Sequence, residues 1–137
     1  MIVGIGIDCV LIERFAHWFY YSSKQLEKIY SEEELAYIFS NPAKQKERFA
    51  SRFAAKEACF KALAAIFPQI YLQFYACLPR IEVKRKANGA VYLSIEYKKI
   101  FPKLVNSKKY FRSHLSLSHD KVHAHAYVII EKLPRNK

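Results

Sequence analysis

Two carboxylates and one ammonium group carry the sharpest chemical possibility in this sequence. Asp8 follows the apolar, glycine-bearing run Met1 to Ile7, and an acid at a strand end lies where sheets often present ligand groups. The plainer alternative is a turn-forming Asp bonded to its own backbone. Gly4-Ile5-Gly6 adds little, because a dinucleotide fingerprint would need a third glycine and a helix start. Glu57 stands among Ala54, Ala55 and Ala58. Such small residues let a neighbouring element approach closely, so the acid there is expected in a cleft and in need of a partner. A divalent cation shared with Asp8 would supply one, since magnesium is held by carboxylate oxygens, substrate phosphates and water. Lys61 follows Glu57 at the i, i+4 spacing, which on an ordinary exposed helix is worth about 0.2–0.5 kcal/mol and no more.

A second concentration of polar groups runs from Ser113 to His125 and holds His114, His119, His123 and His125. In an extended strand His123, His125 and Tyr127 share one face and Ala124, Ala126, Val128 and Ile130 the other, which reads as the polar side of a sheet. A zinc site from His119, His123 and His125 lacks any supporting cysteine pair or HExxH spacing. His119, expected in the turn Ser118 to Lys121, could donate to a phosphate.

These groups need a scaffold. Met1 to Ile7 reads as an opening strand whose end presents Asp8, with Gly4 and Gly6 allowing close backbone approach. The aromatic spacing from Leu11 to Tyr20 predicts a helix, and Ser31 before Glu32, Glu33 and Glu34 predicts the start of another. After Asn41-Pro42, Phe49, Phe53, Ala54 and Phe60 recur at helical spacing, so a long helix is expected to run unbroken to Pro68. Arg80–Lys86 and Ala90–Ile95 flank Asn88-Gly89 as a hairpin. A short helix over Tyr97 to Leu104 and strands over Tyr110–Leu117 and Val122–Glu131 complete an α+β fold, in which the terminal strands pair into an antiparallel sheet around the long helix.

The 137 residues suit one domain, 1–137, and 52% hydrophobic content is enough for a core. A formal charge of +11 would attract nucleic acid, an anionic membrane, phosphorylated ligands or an acidic protein, and charge alone does not choose among them. Nucleic acid is the rival reading from another class, but the basic residues are scattered and no RNA- or DNA-binding motif appears. Cys9, Cys59 and Cys77 are odd in number and widely spaced, against a disulfide framework and for a reducing cytoplasm. No signal peptide is evident. The uncharged run Ala62 to Leu78 is broken by Pro68, Gln69 and Gln73, so no membrane span is expected.

Three segments taken together, GIGIDxxxIxR from Gly4 to Arg14, RFAAKEAxxKAL from Arg52 to Leu63 and SLSHDxxxAxA from Ser116 to Ala126, resemble the holo-acyl-carrier-protein synthase family of phosphopantetheinyl transferases. Their order and spacing extend the likeness over nearly the whole chain, most weakly between Ile66 and Tyr110. The resemblance implies transfer of the 4′-phosphopantetheine arm of coenzyme A to a serine of apo-acyl carrier protein, releasing adenosine 3′,5′-bisphosphate, in fatty acid biosynthesis. It implies Asp8 and Glu57 as ligands of Mg2+ and Lys61 beside the phosphates or the attacking serine; for the base, Glu57 acting directly or through a metal-bound water is the first choice and bulk water the alternative. Arg52, His119 and Lys44 or Lys46 would contact coenzyme A, and Arg14 the acidic helix of the carrier protein. The family also implies a homotrimer with sites between subunits. One departure stands out: the family's glycine-containing turn after Lys61-Ala62 is replaced here by Leu63-Ala64-Ala65-Ile66. Without glycine the helix is expected to run on, changing the loop near the coenzyme. A family member reduced to a binding subunit is the remaining alternative, against which the intact Asp8, Glu57, Lys61 and His119 speak.

Overall fold

The computed structural model describes residues 1–103 and 110–134. Its centre is α3, Gln45–Ile66, entered through the 3-10 turn Pro42–Lys44. Phe49, Phe53, Ala54, Ala58, Ala62 and Leu63 are buried along it. The helix does run through Leu63-Ala64-Ala65-Ile66 and stops before Pro68, as expected of alanines where glycines would have broken it. Among the described residues no helix is long and apolar enough to cross a membrane.

Across one side of α3 lies a three-stranded antiparallel sheet in the order β1-β5-β4: β1 is Ile2–Leu11, β4 Phe111–His119 and β5 His123–Lys132. The terminal strands therefore pair as expected, with Asp8 opposite Ala126 and Val10 opposite Ala124. Ala124, Ala126, Val128 and Ile130 are buried against the helix, while His123, His125 and Tyr127 look the other way. A hairpin, β2 (Ile81–Arg85) and β3 (Val91–Ile95), turns through Gly89 at φ 85°, a conformation that suits glycine. It buries Ile81, Val83, Leu93 and Ile95 in the same core.

Three short helices complete the chain: α1 (Ser23–Leu26), α4 (Phe74–Cys77) and α5 (Tyr97–Ile100). Leu104, the expected end of the last, lies outside the described residues. The helix α2, Glu32–Phe39, begins at the predicted place with a complete capping box: Glu34 N donates to Ser31 Oγ at 3.1 Å and Ser31 N to Glu34 Oε2 at 2.8 Å. Glu34 does more than cap. It is buried 2.9 Å from the ammonium of Lys56, accepts from Val83 N at 2.8 Å, and so ties α2, α3 and β2 together. Burial pushes the Lys56 pKa down, Glu34 opposes part of that shift, and the ammonium also donates to the carbonyls of Leu78 and Ile81.

Two local expectations are corrected. The helix expected over Leu11–Tyr20 does not form: β1 continues to Leu11, Ile12 N donates to Val122 O at 2.9 Å, and two 3-10 turns, Ile12–Phe15 and Trp18–Tyr20, follow. Phe15, Trp18 and Tyr21 recur every three residues, so the three-residue turn packs Phe15 against Trp18 at 4.5 Å and Trp18 against Tyr21 at 5.8 Å, the rings tilted. His119, expected in a turn, is the last residue of β4, held in the ladder opposite Ala124. Asp120 makes the turn instead, its Oδ1 accepting from Val122 N and His123 N, each at 2.7 Å.

Candidate active site

Asp8 lies inside β1, not at its end, because the strand's alternation carries on through Val10. Gly4, Gly6, Asp8 and Val10 face α3, and Asp8 is only 8% exposed. The two glycines make this possible. A Cβ on Gly6 would overlap the carbonyl oxygen of Ala58, and one on Gly4 the carbonyl of Ala62. Strand and helix backbones thus meet with no side chain between them, the close approach that the glycine spacing implies. Asp8 is delivered to the flank of α3 beside Glu57 and Lys61.

Lys61 Nζ donates to Asp8 Oδ1 and to the carbonyl of Ile7, both at 3.0 Å. The other carboxylate oxygen, Asp8 Oδ2, is buried with no hydrogen-bond partner. Glu57, half-buried, has its carboxyl held above the usual range, first by burial and then by the negative charge of Asp8, with Lys61 and Arg14 pulling the other way. Two crowded carboxylates, one with an orphaned buried oxygen, are a donor set that fits a hard divalent cation. Among the described residues no group of three or more His, Cys, Asp or Glu gathers. The protein can therefore offer this pair, leaving further oxygens to water and substrate.

Arg14, in the 3-10 turn after β1, borders the same place. Its guanidinium lies 5.1 Å from the ring centroid of Phe53 and 5.6 Å from that of Phe15. Beside it opens a cavity of about 240 Å³ lined by Trp18, Tyr21, Leu26, Phe53 and Tyr75 among others. A cation at the mouth of an apolar recess is suited to a partner surface that is acidic outside and apolar at its centre.

The other predicted residues gather elsewhere. Arg52 precedes Glu57 by five residues, about 140° round the helix, and is buried with 4% exposure. Its guanidinium lies 4.0 Å from the ring centroid of Tyr37, which Arg48 meets at 4.0 Å and Arg85 at 4.8 Å. Arg85 donates to the Tyr37 hydroxyl at 2.6 Å, while Nε of both Arg48 and Arg52 is buried without a partner. Burial pulls the Arg52 pKa down from its ordinary value. The sequence gives no sign that Arg85 joins this cluster, since it shows there only as one more basic residue in a hairpin. Arg48 left one signal, its place a turn before Arg52. His119 Nε2 lies 3.3 Å from Glu47 Oε1 at the start of α3, close in sequence to Lys44. Lys46 is paired with Glu13 at 2.6 Å. From Glu47 to Glu57 is about 15 Å along the helix axis, so the His119–Glu47 pair stands apart from the Asp8–Glu57 pair.

The comparisons with known proteins agree on one family. Residues 4–129 match the model of the 4′-phosphopantetheinyl transferase superfamily. A holo-[acyl-carrier-protein] synthase of Geobacillus sp. (strain WCH70) is 36% identical over 134 residues, covering 97% of this chain and 99% of that one. One from Thermodesulfovibrio yellowstonii is 35% identical, over 95% of this chain and 99% of its own. Among solved structures, a holo-(acyl-carrier-protein) synthase from Bacillus anthracis in complex with CoA (3′,5′-ADP) superposes with a TM-score of 0.72 at 30% identity, covering 97% of this chain and 99% of that one. The Helicobacter pylori synthase in complex with coenzyme A gives a TM-score of 0.67 at 26% identity, covering 93% and 99%.

Proposed function

The chain belongs to the 4′-phosphopantetheinyl transferase superfamily, and from that membership we infer that it moves the 4′-phosphopantetheine arm of coenzyme A to a serine of apo-acyl carrier protein in fatty acid biosynthesis. The observation that carries this reading is the Asp8–Glu57 pair with the Lys61 ammonium bonded to Asp8, brought together where β1 packs on α3. Asp8 and Glu57 would hold Mg2+, which when bound supplies a Lewis acid that offsets charge on the donor's pyrophosphate.

The chain's own residues perform the rest. The serine hydroxyl attacks the β-phosphorus of coenzyme A, the bond from that phosphorus to the bridging oxygen breaks, and adenosine 3′,5′-bisphosphate leaves. Glu57 accepts the serine proton. Burial and the charge of Asp8 raise its carboxyl pKa in the metal-free chain, which opposes the lowering that a bound cation would bring. Lys61 offers an ammonium to the phosphate oxygens, where positioned charge supplies most of the catalysis of phosphoryl transfer. No covalent enzyme intermediate is needed. Arg14 and its apolar recess receive the carrier, whose acidic helix answers the guanidinium.

Arg52 with Arg48 and Arg85, and His119 with Lys44, serve the donor's remaining phosphate. They stand apart from Glu57 on the same chain, which supports a homotrimer whose neighbouring copies share each site. The outer face of the sheet supports it too: Ile5, Ile7 and Leu11 are each more than half exposed and Tyr127 is 42% exposed, an apolar strip that a second copy would cover. Three free thiols fit a cytoplasmic setting. Asp8→Ala and Glu57→Ala are each expected to abolish transfer with circular dichroism unchanged, and full activity in either variant would remove the assignment.

A further inference from the structure

Lys61 occupies an unusual position for a residue whose task is to touch phosphate. Its side chain is half exposed, yet its ammonium is turned inward onto Asp8 Oδ1 and the Ile7 carbonyl, at 3.0 Å each. It neutralises one oxygen of a carboxylate that is almost wholly buried and leaves the other, Oδ2, without a partner. We propose that Lys61 is a resident counter-cation of the Asp8–Glu57 pair, which a divalent metal displaces, so that metal arrival and release of Lys61 toward the donor's phosphates are one event. The inference rests on the metal reading given above.

Charge makes the argument. With both carboxylates ionised and Lys61 in place the cluster carries one net negative charge, and Arg14 borders it. Adding a divalent ion at the free Oδ2 without moving Lys61 from Oδ1 would leave one net positive charge beside the Arg14 guanidinium, with two cations crowded on one carboxylate. Like charges so close repel, and the buried Asp8 side of the pair is the side least screened by water. Two outcomes relieve this: Lys61 swings outward into solvent, which its half-exposed side chain permits, or an anion arrives to meet both cations. The donor's pyrophosphate is such an anion. Metal affinity is therefore low in the absence of donor and rises with it, and the lysine freed by the metal becomes a phosphate ligand. Thermodynamic linkage requires the metal to raise donor affinity by the same factor.

The test is titration with Mn2+, followed by electron paramagnetic resonance, with no donor present. Lys61→Met, which keeps the aliphatic stem and removes the charge, is expected to bind Mn2+ about tenfold more tightly than the parent. Lys61→Arg, which keeps the charge, is expected to bind like the parent. Equal or weaker binding by Lys61→Met, while Asp8→Asn abolishes binding, overturns this inference alone. Binding that survives Asp8→Asn would remove the metal reading and this inference with it. The unaltered protein gives an independent readout. The Lys61 ε-methylene 13C resonance is expected to shift on adding Mg2+ toward the position of a free, solvated lysine, and a resonance that stays in place contradicts displacement.

Discussion

At the scale of single residues, the site places one carboxylate at a disadvantage. Burial and the charge of Asp8 hold the Glu57 carboxyl above its ordinary value, so the folded chain binds that proton more tightly than the unfolded chain does. The corresponding stability is present below the unfolded pKa and is lost as pH rises through the folded one. Near neutral pH an ionised Glu57 weighs against folding. In the presence of a chelator Glu57→Gln is therefore expected to melt above the parent at about pH 7, with the gap narrowing in acid. A variant that melts lower at neutral pH would contradict the crowded-carboxylate picture. The pair was legible through the three motifs taken together and not through its residue types, since a turn-forming Asp8 and an exposed Glu57–Lys61 pair fit the same residues. The Arg48–Arg52–Arg85 stack on Tyr37 was not, since it joins α2, α3 and β2 by tertiary contact alone.

Among elements, the junction of β1 with α3 decides whether the site exists. Gly6→Ala would drive a methyl group into the Ala58 carbonyl, a backbone atom that cannot rotate away. The expected cost lies at or above the upper end of the roughly 1–3 kcal/mol typical of overpacking, read by chemical denaturation. A variant as stable as the parent would mean that strand and helix are not so close. Much of this level was open to sequence reading. Ser31 with Glu34, Asn88-Gly89 and the run from Gln45 to Ile66 each announce themselves by short-range chemistry. The end of β1 did not, because Asp8 interrupts the apolar pattern and only pairing with Ala126 and Ala124 on β5 shows that the strand continues. The 3-10 turns after it were mistaken for a helix because aromatics at three-residue spacing suit either.

On the scale of the whole molecule, the sheet has one face against α3 and one open to solvent. The open face bears Ile5, Ile7, Leu11 and Tyr127, with His114 bonded to Glu131 at 2.7 Å at its margin. Multi-angle light scattering is expected to give three times the 16.1 kDa chain mass. Ile7→Lys should lower that mass and reduce transfer together, because the charged groups that neighbouring copies bring to a shared site would part. A fully active monomer would contradict the shared site. Nothing in a single sequence marks a strand face as bare, since the same alternation serves a covered sheet and an open one.

The central claim is tested most directly by intact-mass spectrometry of apo-acyl carrier protein incubated with this protein, coenzyme A and Mg2+, with a chelator control. A gain of one phosphopantetheine on the carrier, abolished by the chelator, is the predicted result. A carrier mass that stays unchanged across several apo-carriers would contradict it.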